Sequence, residues 1–138
     1  MKRAVVGVLA VGLFLTGVGS AVADSWRPIQ DATTVGAVFE DAEYRFNPPE
    51  RNHGSFEWRG SLRDDSDGDG HNVYLQVRVE GLAWARYNGK QRQSVRLHNA
   101  NWVGAQRYIS KAELRVCRNR GSLHPDNCSH IRKFFVNR

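Results

Sequence analysis

Residues 64–80 read DDSDGDGHNVYLQVRVE, an acidic, glycine-bearing turn followed by the clearest strand pattern in the chain. Apolar side chains occupy alternate positions along this strand, at Val73, Leu75, Val77 and Val79. A period of two residues is typical of a half-buried β-strand. We therefore expect the rest of the chain to supply further strands that cover this apolar face.

Other short runs have strand character, at residues 55–62, 82–87, 91–97, 108–118 and 130–136. Residues 55–62 are predicted to form a hairpin with 72–80, because the turn between them is short and rich in Asp and Gly. Asn88-Gly89 predicts a second hairpin between residues 82–87 and 91–97, since this dipeptide favours a type I′ turn. Helical periodicity is weak throughout this part of the sequence. The sequence thus predicts a mainly β protein, an antiparallel β-sandwich or small barrel.

The first 23 residues have the pattern of a signal peptide. Lys2 and Arg3 precede an apolar run over residues 4–19, which at about 16 residues is shorter than the roughly 20 that span a bilayer. Small residues at Ala21 and Ala23 form the pattern that a signal peptidase reads, so cleavage is expected after Ala23. We expect a secreted, extracellular protein with no integral membrane segment after cleavage.

The 115 residues after that site suit one domain with one core. The strand signals fall in residues 53–138, which we interpret as the β domain. Residues 24–52 are harder to assign, because Pro48 and Pro49 interrupt regular structure. We expect this N-terminal segment to be partly disordered or to contribute one strand.

The chain is basic, with a formal net charge of +6, and arginine supplies 16 of its 20 cationic side chains. Removing the two charges of Lys2 and Arg3 leaves +4. The arginines are scattered along an exported chain, which argues against nucleic acid as the partner. Anionic envelope polymers or lipid head groups fit such charge better, and the plain alternative is a soluble cationic surface.

Cys117 and Cys128 are the two cysteines of the chain. An even count in an exported protein predicts one disulfide. With His124 and His130 the cysteines have a spacing that could hold zinc, but an oxidising compartment favours the disulfide.

The acidic turn resembles the first half of an EF-hand calcium loop. Asp65, Asp67 and Asp69 alternate and Gly70 follows them, as in that loop. The second half departs from the pattern, because Gln76 stands where the bidentate glutamate belongs. The candidate cofactor is therefore Ca²⁺ on these three aspartates, and the alternative is a solvated hairpin turn.

Aromatic side chains supply a candidate ligand site. Exposed rings on a β-sandwich can stack on sugar rings, although tryptophan more often fills a core. Trp58 falls in a strand period and is assigned to the core. Trp84, near the predicted hairpin tip, and Trp102, in a loop at residues 98–104, are the surface candidates, with Tyr87 beside them.

Catalysis has little support in the sequence. Five histidines fall in turns, strand ends or loops, outside any recognisable nucleophile or metal motif. A small basic nuclease would need Glu, His and Arg side chains to converge on a phosphate. Glu57, Glu80, His71 and His98 supply the residue types without a diagnostic spacing. The alternative of an enzyme is therefore secondary to that of a binding protein.

Two segments of the chain resemble parts of known proteins: DGHNVYLQVRVEG at residues 69–81 and VCRNRGSLHPDNCS at residues 116–129. Together they resemble small secreted proteins of actinomycete bacteria, whose activity is not known. The resemblance implies export and one disulfide, and it supplies no site residues. We expect a secreted binding module for an envelope or environmental glycan or for a protein. The alternatives are a nuclease-like enzyme and an inhibitor or toxin-like effector acting through the Cys117–Cys128 loop.

Overall fold

A computed structural model describes residues 25–65 and 71–137. Ten strands are described: β1 (Arg27–Ile29), β2 (Ala32–Thr34), β3 (Ala37–Phe46), β4 (Phe56–Asp64), β5 (Val73–Val79), β6 (Ala85–Asn88), β7 (Ser94–Asn101), β8 (Lys111–Arg118), β9 (Asn127–Cys128) and β10 (Arg132–Phe135). A single 3-10 turn, Asn52–Gly54, precedes β4. Within this described part, no helix has the length and apolar character needed to cross a membrane.

The strands form two antiparallel sheets that pack as a β-sandwich, which confirms the predicted fold class. The first sheet has the order β1-β3-β4-β7, and β2 also pairs with β3. The second sheet has the order β10-β8-β5-β6, and β9 also pairs with β8. The central strands of the two sheets are β3 and β4 in the first and β8 and β5 in the second.

The core lies between the inner faces of the two sheets. The predicted alternation of β5 is confirmed, because Val73, Leu75 and Val77 are fully buried. The largest buried side chains come from the first sheet: Trp58, Phe39, Phe56 and Leu62. Burial of each such side chain stabilises the fold by about 1.5–3 kcal/mol. This apolar layer is therefore the main source of stability.

Both predicted hairpins are wrong. β4 pairs with β3 and β7, whereas β5 pairs with β6 and β8, so the acidic turn connects the two sheets. The segment around Asn88-Gly89 likewise connects β6 of the second sheet to β7 of the first. Each of these strands has an apolar face, and opposite sheets let those faces pack against one another across the core. The residues of a turn indicate that the chain changes direction, but they do not indicate which sheet the next strand joins.

The sequence predicts partial disorder or one strand at residues 24–52, and the described residues of this segment form three strands, β1, β2 and β3. Ile29, Ala32 and Phe39 lie in the core. A register shift between Glu40 and Glu43 interrupts the pairing of β3 with β4. This β-bulge breaks the two-residue period, which explains why the sequence pattern of the segment is weak.

The predicted disulfide between Cys117 and Cys128 is confirmed. The two residues lie directly opposite each other in β8 and β9. Both sulfurs are bonded to one another, so they do not supply the thiolates that a zinc site would need. The loop between the cysteines is further fixed by a hydrogen bond from the Tyr74 hydroxyl to the Asp126 carboxylate. Burial, reinforced by Asp126, raises the pKa of Tyr74 to about 12.

We predict that replacing Cys117 and Cys128 with serine lowers the free energy of unfolding by about 3 kcal/mol, because the open loop restores chain entropy to the unfolded state. Urea unfolding measures this change. The control is L123A, since Leu123 lies inside the same loop and is 90% exposed. A double serine variant as stable as the L123A protein would contradict the prediction.

Candidate functional site

The outer surface of the second sheet carries an array of cations. Residues directly opposite each other in an antiparallel sheet share a face. The register therefore places Arg86 and Arg115 beside Gln76, and Arg78 and Lys133 beside Glu113. The same register puts Lys111 beside Phe135 at the end of this surface. We call this surface the basic face, defined by Arg78, Arg86, Lys111, Arg115, Lys133, Trp84 and Phe135.

Aromatic rings support the arginines of the basic face. The guanidinium carbons of Arg78 and Arg115 lie 4.3 and 4.5 Å from the ring centroid of Trp84. The guanidinium of Arg86 lies 3.6 Å from the centroid of Tyr74. Each cation–π contact contributes about 0.5–1 kcal/mol at an exposed site. The contacts hold the three guanidinium groups against the sheet and restrict their conformational freedom.

The positive charge of the basic face is only partly balanced. Arg78 forms an ion pair with Glu113 at 2.7 Å. Arg115 and Arg86 donate instead to neutral amide oxygens, those of Gln76 at 2.8 Å and Asn88 at 2.9 Å. Neutral partners orient a guanidinium without cancelling its charge, so the surface around Arg115 remains attractive to anions. The charge of Arg86 is partly balanced, because the Asp126 carboxylate, whose pKa is lowered chiefly by the Tyr74 hydroxyl, also interacts favourably with Arg86.

One end of the basic face contains an open pocket of ≈ 210 Å³. Phe135, which is 67% exposed, lies at this pocket together with Lys111 and Lys133. Glu80 also lines it, but the Glu80 carboxylate accepts hydrogen bonds from the backbone N–H groups of Ser110 and Lys111. Glu113 lines the pocket as well and is paired with Arg78. The pocket thus combines an exposed ring with cations and two bonded carboxylates, and it is large enough for a small ring-shaped group.

The outer face of the first sheet has the same residue types but a different charge balance. The Trp26 ring lies below two guanidinium groups, those of Arg45 at 4.4 Å and Arg59 at 3.9 Å. Here the arginines pair with carboxylates, Arg45 with Glu57 at 2.9 Å and Arg59 with Glu43 at 2.7 Å. Because these charges cancel locally, this face offers less attraction to a polyanion.

A Glu, His and Arg cluster lies on that first sheet. Glu57 accepts hydrogen bonds from Arg45 at 2.9 Å, from Asn47 at 3.0 Å and from His98 at 2.7 Å. Burial raises the pKa of Glu57, but these hydrogen bonds together outweigh it and hold the pKa below the usual range. The residue types that the nuclease hypothesis requires therefore meet at one place. The carboxylate, however, is occupied by three donors and is a weak base.

The structure separates the three predicted ligand-binding residues. Trp84 belongs to the basic face, where its ring supports arginines. Tyr87 packs against the ring of the buried Trp58, and its hydroxyl accepts a hydrogen bond from Asn101. Trp102 lies at the end of β7 and is 46% exposed. These side chains do not converge on one binding surface.

The candidate calcium site falls mostly outside the described residues. Asp67 and Asp69 lie there, whereas Asp65 is described and forms an ion pair with Arg63. Across residues 25–65 and 71–137, no group of three or more His, Cys, Asp or Glu side chains is arranged to hold a metal ion. Calcium binding stays a prediction.

Sequence reasoning missed the basic face as a unit. The alternation of β5 and β8 does place Arg78 and Arg115 on solvent-facing positions. Their convergence on Trp84 depends on the pairing of β5 with β6 and β8, which local patterns do not reveal. The useful signal was the recurrence of cations at outward positions of separate strands.

We predict that E57Q lowers the free energy of unfolding at neutral pH by about 1–3 kcal/mol, because an amide is a poor acceptor for charged donors. The pKa of Glu57 is lowered by folding, so its contribution is present above the ordinary glutamate pKa. It is lost as the pH falls through the lowered folded value. Urea unfolding across this acidic range should therefore show a shallower loss of stability for E57Q.

The control for this experiment is E43Q. Glu43 lies on the same face, but its side chain is 41% exposed in the pair with Arg59, and exposed pairs contribute little. Identical acid profiles for E57Q and the unmodified protein would show that Glu57 does not have this role.

Comparison with known proteins adds no family to these observations. No protein-family model matches the chain, and neither a curated protein nor a solved structure gives a significant match. The resemblance to secreted actinomycete proteins stays a prediction. Function must therefore be argued from the geometry and charge of the surfaces described above.

Proposed function

We propose that this protein is a secreted binding module that engages an acidic polysaccharide through the basic face. The observation that carries the proposal is the support of Arg78, Arg86 and Arg115 by aromatic rings, with only partial neutralisation by carboxylates. Supported guanidinium groups lose little conformational freedom when they bind an anion, which lowers the cost of association.

The chemistry of the face favours carboxylates on a sugar chain. A guanidinium presents a planar fork of N–H donors that matches a carboxylate, and such charge-assisted bonds are strong. Across the sheet, the backbones of Arg86 and Arg115 are separated by the intervening β5, which corresponds to about 10 Å. The two guanidinium groups can therefore contact different carboxylates of one chain. The pocket at Phe135 would accept one ring of that polymer against an aromatic surface.

Other anionic partners fit the face less well. Single-stranded nucleic acid binds where bases stack on open aromatic rings. The rings of Trp84 and Tyr74 already lie against guanidinium groups. A lipid surface requires several exposed apolar anchors, and the basic face offers Phe135 as its large exposed one. These comparisons support a soluble acidic glycan as the ligand.

The alternative of a small exported enzyme has one observation in its favour, the meeting of Glu57, His98, Arg45 and Arg59. A nuclease of this kind needs a carboxylate or imidazole poised to take a proton. The lowered pKa and three bound donors of Glu57 make it suited to positioning other groups rather than to that step. A binding role is therefore preferred.

We predict that the purified protein binds polygalacturonate, and that replacing both Arg86 and Arg115 with glutamine weakens this affinity by at least roughly tenfold, because two charge-assisted contacts are lost. Affinity should also fall as salt rises, since the contacts are electrostatic. Isothermal titration calorimetry at low and physiological salt measures both effects.

The control removes equivalent charge from the other sheet. R63Q with R59Q takes away two arginines that pair with carboxylates, and it should leave polygalacturonate affinity nearly unchanged. If both double variants lowered the affinity for polygalacturonate equally, the loss would reflect the net charge of the protein rather than the basic face, which would contradict the proposal. Absence of binding to polygalacturonate, or equally tight binding to single-stranded DNA, would contradict it as well.

A further inference from the structure

A second open pocket of ≈ 250 Å³ lies at a loop end of the first sheet and shares no lining residue with the pocket at Phe135. Two loops form it, one before β4 and the other after β7. Its lining residues are Pro49, His53, Trp102, Val103, Gly104, Gln106 and Arg107. We call it the loop pocket.

Two aromatic rings form one side of the loop pocket. The rings of His53 and Trp102 stack with centroids 4.4 Å apart and an angle of 14° between their planes. Even with this contact, 46% of Trp102 remains exposed. A large aromatic surface is therefore open to solvent inside a concave site, which is the arrangement that binds the C–H face of a sugar ring.

The loop that carries His53 has a left-handed backbone conformation at two residues. Asn52 has φ 48° and His53 has φ 60°, in a region that Asn and His adopt more readily than most other non-glycine residues. In this conformation the imidazole stacks on the ring of Trp102.

The second loop packs closely against the end of this turn. Gly54, also in the left-handed region, lies so close to the second loop that a Cβ atom would come within 2.2 Å of the Arg107 carbonyl oxygen. The backbone N–H of Ile109 donates to the Gly54 carbonyl oxygen at 2.8 Å. The two walls of the pocket are thus fixed to each other before any ligand arrives.

A buried polar network supports the first loop from below. The Asn47 side chain is fully buried and donates to the Ser55 hydroxyl at 2.9 Å and to Glu57 at 3.0 Å. Arg51 donates to the Asn47 amide oxygen at 2.9 Å. Glu57 therefore contributes to the pocket through Asn47, as a positioning residue rather than as a group that contacts a ligand.

The lining also defines the charge of a suitable ligand. Arg107 supplies a cation, Gln106 supplies an amide, and the described lining of the loop pocket includes no carboxylate. An aromatic surface next to an arginine suits a pyranose ring that bears a carboxylate, with the ring against Trp102 and the carboxylate toward Arg107.

We propose that the loop pocket is a binding site for a single uronate sugar ring, separate from the basic face. This inference deepens the proposed function and rests on it for the class of ligand, since both sites would take acidic sugars. It assigns roles to His53, Trp102 and Arg107 that do not depend on the arginines of the second sheet.

The test uses monosaccharides and follows signals of the loop pocket itself, because one sugar ring could also enter the pocket at Phe135. In ¹H–¹⁵N NMR titrations of the purified protein, D-galacturonate should shift the indole N–H signal of Trp102 in a saturable way. D-galactose, which lacks the carboxylate, should bind roughly tenfold more weakly, because a charge-assisted contact is missing. W102A should abolish the saturable shifts of the His53 and Arg107 backbone N–H signals, and R107Q should reduce the affinity for galacturonate at this pocket to that for galactose.

Two controls are needed. One shows that the variants are still folded, and the other shows whether the loop pocket binds independently of the basic face. W102A and R107Q change exposed side chains, and their thermal melting should match that of the unmodified protein. The R86Q/R115Q protein should bind galacturonate normally, since its changes lie on the other sheet. Loss of polygalacturonate binding in that variant with unchanged galacturonate shifts would support both sites independently.

The proposal would be overturned by an unmoved Trp102 signal up to the solubility limit of galacturonate. Equal affinities for galactose and galacturonate at the loop pocket, or saturable shifts of the His53 and Arg107 backbone N–H signals that survive W102A, would overturn it too. If polygalacturonate binds through the basic face while these results are obtained, the loop pocket inference fails and the proposed function stands.

Discussion

The packing of β4 against β5 across the core is the interaction on which the rest of the molecule depends. Trp58 and Leu62 from one strand and Val73, Leu75 and Val77 from the other are fully buried. Because residues alternate between faces, burying these side chains forces the intervening ones outward. Arg59 and Arg63 on β4, and Arg78 on β5, reach solvent for this reason. The positions of the charged side chains on the two outer surfaces thus follow from the burial of the apolar side chains in the core.

The arginines of the two outer surfaces have different hydrogen-bond partners. As a result, the charge of the first sheet's arginine–tryptophan cluster is balanced locally, whereas the basic face of the second sheet keeps an excess of positive charge. Both have a tryptophan that lies just before an edge strand and contacts two guanidinium groups. On the first sheet carboxylates neutralise the cations at short range. On the second sheet Arg78 pairs with Glu113, whereas Arg115 and Arg86 donate to the amide oxygens of Gln76 and Asn88. Identical residue types therefore give opposite interaction properties once their hydrogen-bond partners differ.

Local sequence patterns revealed the strands with a regular period and the disulfide, and they failed where tertiary arrangement decides. The alternation of Val73, Leu75, Val77 and Val79 correctly predicted β5 and its buried face. The bulge in β3 hid a long strand, because one extra residue shifts the period. The assignment of β4 and β5 to opposite sheets has no local signature, since it follows from which apolar faces can meet.

The candidate sites were likewise predictable from the sequence only in part. Trp102 was recognisable as a surface ring, because it follows a polar strand and lies outside any apolar period. Its stacking with His53 was not, since the two residues are far apart in sequence and meet only when both loops fold. The arginines of the basic face likewise come from three strands that no short motif connects.

The close approach of Gly54 to the Arg107 carbonyl has a consequence for how the chain could diversify. At this one point the two loops share a backbone contact that tolerates no side chain, whereas the tips beyond it face solvent. Residues at the loop tips can therefore be exchanged, and the ligand preference changed, without disturbing the contact between the two loops. Gly54 itself has to remain a glycine for the loops to keep this distance.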